Sequence, residues 1–75
     1  MREEIERMLI ECGMSDKDLD CEDFVKAELM DSLMVADLVI TIEDKFKIEI
    51  DGDDIVPEYF SSIEMISKLI KKYAG

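Results

Sequence analysis

A small all-α fold, a four-helix bundle with a short third helix and a long loop between the first two, is what three observations on this 75-residue chain predict. Apolar residues recur at spacings of three and four in three separate segments, the pattern of helices with one buried side. Gly13, Asp31 and Ser61 are helix-stop and helix-start residues, and they bracket those segments. Only residues 47–51 alternate in the manner of a strand, and a lone strand has nothing to pair with. The chain reads as a single domain over residues 1–75, without internal repeats, low-complexity tracts or linkers.

The first helix carries Ile5, Met8, Leu9 and Cys12 on one stripe. Gly13 is placed to end it in the left-handed conformation that glycine adopts without cost. From Met14 to Met30 the periodicity lapses into an acidic stretch. A connection this long in a small domain packs down or carries function. Leu19, Phe24 and Leu29 are expected to pin it across the helices.

The second helix is expected over about residues 32–45, with Asp31 as N-cap, its carboxylate accepting an exposed amide of the first turn. Leu33, Ala36, Val39 or Ile40, and Phe46 supply its expected buried side, widened by Leu38 and Ile42. Apolar residues cover nearly the whole circumference, interrupted by Asp37, Thr41, Glu43 and Asp44. Such a helix is central to the core, or partly covered by a partner.

Residues 47–51 are then an extended loop, 52–56 a brief turn of helix, and Pro57 its stop. For the last helix, Ser61 and Glu64 form an S-x-x-E capping box, and Phe60 and Met65 occupy the hydrophobic-staple positions. Ile63, Ile66, Leu69, Ile70 and Tyr73 make its core stripe. Lys68, Lys71 and Lys72 suit the negative end of the helix dipole.

Size and charge exclude several functions. A single core of this size leaves about 3–5 kcal/mol of stability and no room for a catalytic cleft with its own scaffold. A hydrophobic content of 48% argues against disorder, although 20 acids face 9 bases. The net charge of −11 makes nucleic acid and anionic membrane poor partners. Proteins with basic docking patches are favoured instead. No early apolar stretch resembles a signal peptide, and no run approaches a membrane span, so a cytoplasmic monomer without membrane insertion is expected. Cys12 and Cys21 have neither redox nor zinc spacing, and Cys12 reads as a reduced core thiol.

The tripeptide Asp31-Ser32-Leu33 opens the second helix. A serine needs an adjacent base to act as a nucleophile, most often histidine, and the chain has none. A serine displayed at a helix start is therefore a site to be acted upon, by covalent modification. Between Lys26 and Lys45 there is no basic residue, while Glu28, Asp31, Asp37, Glu43 and Asp44 fall in that window. The exposed side of the helix is thus expected to be wholly acidic. Asp16, Asp18 and Asp20 imitate the first ligands of a calcium loop, but Cys21 stands at the position that demands Gly and Ala27 at that of the bidentate Glu. Asp51, Asp53 and Asp54 also lack a completed ligand series, and no metal site is expected.

The stretch from Asp31-Ser32-Leu33 through Met34, Val35, Asp37, Glu43 and Asp44 to Phe46 resembles the modification site and second helix of acyl carrier proteins. Ile48-Glu49-Ile50 and Phe60-Ser61-Ser62-Ile63 are similar to the family's later elements, so the resemblance covers about residues 5–73. It implies that Ser32 receives 4′-phosphopantetheine from coenzyme A. Asp31 matches the acid that helps dock the phosphopantetheinyl transferase, and Leu33 the apolar residue after the serine. Asp37, Glu43 and Asp44 match acidic positions that meet Lys and Arg on partner enzymes. The implied protein is no enzyme but a carrier of acyl or aminoacyl thioesters, loaded by a ligase and serving a downstream acyltransferase or synthase. A phosphodiester there would sit at the positive end of the helix dipole.

Two departures from the family pattern bear on cargo. Leu29 stands where fatty-acid carriers usually have Gly, and Met34 and Val35 are more apolar than the usual pair. The chain is in this respect more similar to stand-alone D-alanyl, peptidyl or secondary-metabolism carriers. Met34 and Val35 either pack on the preceding loop or form a small docking patch framed by Asp37 and Glu43. The competing function is an unmodified acidic helical adaptor for basic proteins, for which Ser32 would be dispensable.

Overall fold

Each long helix contributes one apolar stripe, and the stripes meet in a single core. The computed structural model describes residues 2–74. Helix α1 spans Arg2–Glu11, α2 spans Ser32–Phe46 and α3 spans Ile63–Ala74, with 3-10 turns at Asp18–Asp20, Gly52–Asp54 and Pro57–Phe60. There is no strand among the described residues. The all-helical bundle is the expected one, its short third helix reduced to two 3-10 turns.

Helix α1 buries Ile5, Met8 and Leu9, and α3 buries Ile63, Ile66, Leu69 and Ile70. Gly13 ends α1 as expected: its φ is +115°, its amide bonds the Ile10 carbonyl, and the Met14 amide reaches back to Leu9. Those two bonds are the paired closure of a Schellman cap, and both Leu9 and Met14 are buried. A radius of gyration of 11.1 Å, close to the roughly 11 Å of a folded chain this long, leaves no room for a connection standing off the bundle.

The connection from α1 to α2 packs through Phe24, which is fully buried, with Met14 and Met30 also buried and Leu19 and Leu29 half-buried against the core. The Phe24 amide donates to the Ser61 carbonyl at 2.7 Å, and its own carbonyl accepts from Leu29 and Met30. Asp23 caps this turn by accepting from the amides of Val25 and Lys26. Glu28 closes it in a left-handed conformation, φ 61°, where glycine would be unstrained. Earlier in the connection, Ser15 and Asp18 bond each other's amides in a reciprocal box, so Asp18 serves a turn.

Three expectations are corrected. In α2 the buried residues are Leu38, Val39 and Ile42, with Met34, Val35 and Phe46 half-buried against the core. Leu33 and Ala36 do not face inward: Ala36 is exposed, Leu33 is 73% exposed and Ile40 65%. Ile40 stands about 200° around the helix from Leu38, so the stripe Leu33–Ala36–Ile40 points away from α1 and α3. The outer face is therefore not wholly acidic. An all-round apolar helix admits two phases, and the faces that α1 and α3 present choose between them.

The second correction concerns the start of α3. Ser62, not Ser61, is the cap, its hydroxyl accepting from the Met65 amide at 3.1 Å. Ser61 instead donates to the Glu58 carbonyl, so the Ser61–Glu64 box does not form and Phe60 and Met65 are out of staple register. The preceding 3-10 turn runs on through Phe60 and carries Ser61 in right-handed helical geometry, which moves the cap one residue on. Third, Pro57 begins that turn rather than ending the one before, since its fixed φ and missing donor suit a first helical position.

Candidate functional site

Asp31 has extended backbone and caps α2, its carboxylate accepting from the Met34 amide at 2.8 Å and its carbonyl from Val35 at 2.9 Å. This leaves the amides of Ser32 and Leu33, the first two of the helix, without intrahelical acceptors. Ser32 is the first helical residue and is exposed. The hydroxyls of Ser15, Thr41, Ser61 and Ser62 are each tied to backbone groups. That of Ser32 makes no hydrogen bond among the described residues. It lies beside two backbone N–H groups without intrahelical acceptors, in a chain that has no histidine.

Alongside Ser32 runs an open groove of about 550 Å³. Its helix wall is Val35, Ala36, Val39 and Ile40; its other walls include Val25 and Met30 on one side and Ile55, Val56 and Pro57 on the other. The groove is apolar apart from Asp31 and Ser32 at its mouth.

The acidic residues divide. Asp37 is exposed on the outer face, beside the Leu33–Ala36–Ile40 stripe. Asp44 is also exposed, 3.9 Å from Lys47. Glu43 is half-buried and accepts the Ile50 amide at 2.8 Å, fixing the chain as it leaves α2. Met34 and Val35 pack inward, so the exposed apolar residues next to Ser32 are Leu33, Ala36 and Ile40. The sequence expectation placed Leu33 and Ala36 on the buried side and left Val39 or Ile40 open; Val39 is the buried one of that pair. The polar interruptions Asp37 and Asp44, which flank that stripe, were the available signal.

Cys12 is half-buried and free; burial pushes its thiol pKa up and Asp37 adds to the effect, so the thiolate is suppressed. On the far side of the groove, the Tyr73 hydroxyl and then Lys72 hold the Asp54 carboxyl below the usual carboxylate range. No group of acidic or cysteine residues that could hold a metal ion occurs among the described residues, and none of their helices is long and apolar enough to cross a membrane.

Fold and site together are those of a small all-helical domain with an exposed serine at the start of its second long helix. Residues 7–70 match the family model described as "Phosphopantetheine attachment site", and the chain belongs to that family. No curated protein and no solved structure gives a significant match. The chain is a phosphopantetheine-carrying carrier protein, of the acyl carrier family, and its domain is the site of covalent 4′-phosphopantetheine attachment. Domains of this family are not catalysts; a phosphopantetheinyl transferase modifies them and biosynthetic enzymes use them. The residues present fit the group, with an exposed hydroxyl, two free amides for a phosphodiester and an apolar groove leading away.

Proposed function

We propose that Ser32 carries the 4′-phosphopantetheine arm. The observation that supports this is the unengaged Ser32 hydroxyl at the α2 N-terminus. In the transfer, Ser32 Oγ would form a bond to the β-phosphorus of coenzyme A. The phosphoanhydride bond breaks, the nucleotide leaves, and the hydroxyl proton passes to a base of the transferase. The Ser32 and Leu33 amides face the resulting diester anion, and Asp31 keeps the helix end in shape. The bound arm supplies a thiol for thioester formation, so neither Cys12 nor Cys21 is required.

The cargo is an acyl or aminoacyl group, delivered by a ligase and passed to an acyltransferase or synthase. The apolar groove favours the acyl class over a charged aminoacyl group. Partners would dock on the outer face of α2, with Leu33, Ala36 and Ile40 as an apolar centre and Asp37 and Asp44 as an acidic rim. Such a patch suits brief complexes steered by basic partners. Met34, Val35 and Glu43 would support this face from within. The setting is the cytoplasm, where coenzyme A and the transferase are available.

Incubation with coenzyme A and a broad-specificity transferase should raise the mass by one prosthetic group, and Ser32→Ala should gain nothing. An unchanged wild-type mass, or equal labelling of the variant, would sink the assignment.

A further inference from the structure

The groove beside Ser32 has one wall that is not helical, the strap of residues 51–57 bearing Ile55, Val56 and Pro57. Between the buried anchors Ile50 and Phe60 this strap has no buried residue, and Ile55 is 37% exposed. Apolar packing therefore holds it weakly. Polar bonds to the last turn of α3 take over that task. Tyr73 donates its hydroxyl to Asp54 and accepts the Asp51 amide at 3.1 Å. Lys72 Nζ lies 3.0 and 2.9 Å from the two Asp54 carboxylate oxygens. The same ammonium stands 6.0 Å from the ring centres of Tyr59 and Tyr73.

We propose that Asp54, Tyr73 and Lys72 form a clasp that holds the strap against α3 and so sets the width of the groove along which the arm of Ser32 would lie. Asp54 sits directly before Ile55, so letting go of its carboxylate frees the residues that face Val35 and Val39 across the groove. The three are positioning residues, since none of them lines the groove. Closed, the clasp gives an alkyl chain a wall on its solvent side. Open, it leaves that chain to water or to a partner's tunnel. The clasp does not depend on which residue is modified; its use as a gate rests on the reading above.

The test is hydrogen exchange on the unmodified chain, following the Ile55 amide, which bonds Gly52 in the strap, against core amides of α1. Tyr73→Phe and Asp54→Asn are each expected to speed Ile55 exchange about tenfold while α1 amides change less than about twofold. Lys72→Met should do the same to a smaller extent, and Lys72→Arg, which keeps the ion pair, should restore slow exchange. Unchanged Ile55 exchange would overturn the clasp. Equal acceleration in strap and α1 would overturn it too, because the bonds would then be serving global stability alone. Failure of the chain to accept the arm would count against Ser32 and leave the exchange result standing.

Discussion

The two faces of α2 are made of the same kinds of residue and have opposite fates. Leu38, Val39 and Ile42 lie on the inner face, with Leu38 and Ile42 fully buried. Leu33, Ala36 and Ile40 lie on the outer face at equivalent helical spacing and remain in water. Propensity and hydrophobicity do not separate them. What separates them is that α1 and α3 offer apolar stripes to one side, and no helix among the described residues packs on the other. Uncovered apolar surface of this kind, beside the proposed attachment serine, is the ground for the docking face proposed above.

The largest effect should come from cutting into the inner face. Ile42→Ala removes a fully buried side chain and should cost about 2–5 kcal/mol, comparable to the whole stability of a domain this size. Thermal or urea unfolding should find it largely unfolded at 37 °C. Next, Asp31→Ala deletes the cap of the same helix and should cost about 1 kcal/mol, read as a lower urea midpoint with the slope unchanged. Truncation of the outer face should hardly register in stability: Ile40→Ala is expected within about 0.5 kcal/mol of wild type. Its signature would be in docking, with the transferase's kcat/KM lowered about tenfold; an unaffected rate would remove Ile40 from the proposed docking face. Smallest is the electrostatic cost of the outer acids. If repulsion among Asp31, Asp37 and Asp44 matters, added salt should raise the melting temperature by screening over ~8–10 Å. A melting temperature indifferent to salt would mean these acids are spaced widely enough already.

Much of this was legible in the sequence, and the part that was not has a definite cause. The α1 stripe, the Gly13 stop and the Asp31 cap are local features, set by residues within a turn of one another, and they stand where the spacing put them. The exposure of Ser32 comes from the structure, and its role as attachment point stays a proposal. The phase of α2 depends on which neighbours arrive, and within that helix only the polar interruptions Asp37 and Asp44 bear on it. The Ser61–Ser62 ambiguity is of the same kind on a smaller scale: two adjacent serines can both cap, and the 3-10 turn begun by Pro57 decides which does. The bonds among Asp54, Tyr73 and Lys72 join residues 18 and 19 positions apart, beyond the reach of any periodicity.

The α1–α2 connection is continuous in sequence but is two different objects. From Ser15 to Cys21 its bonds close on the loop itself, through Ser15, Asp18 and Cys21. At Phe24 the backbone is knotted into the molecule, giving its amide to Ser61 and its carbonyl to Leu29 and Met30, with the ring inside the core. The peptide chain could be nicked after Lys17, or lengthened there by a few residues, with the halves still held in place. A break beside Phe24 would detach the start of α2 from the start of α3, and with it the ground on which Ser32 stands.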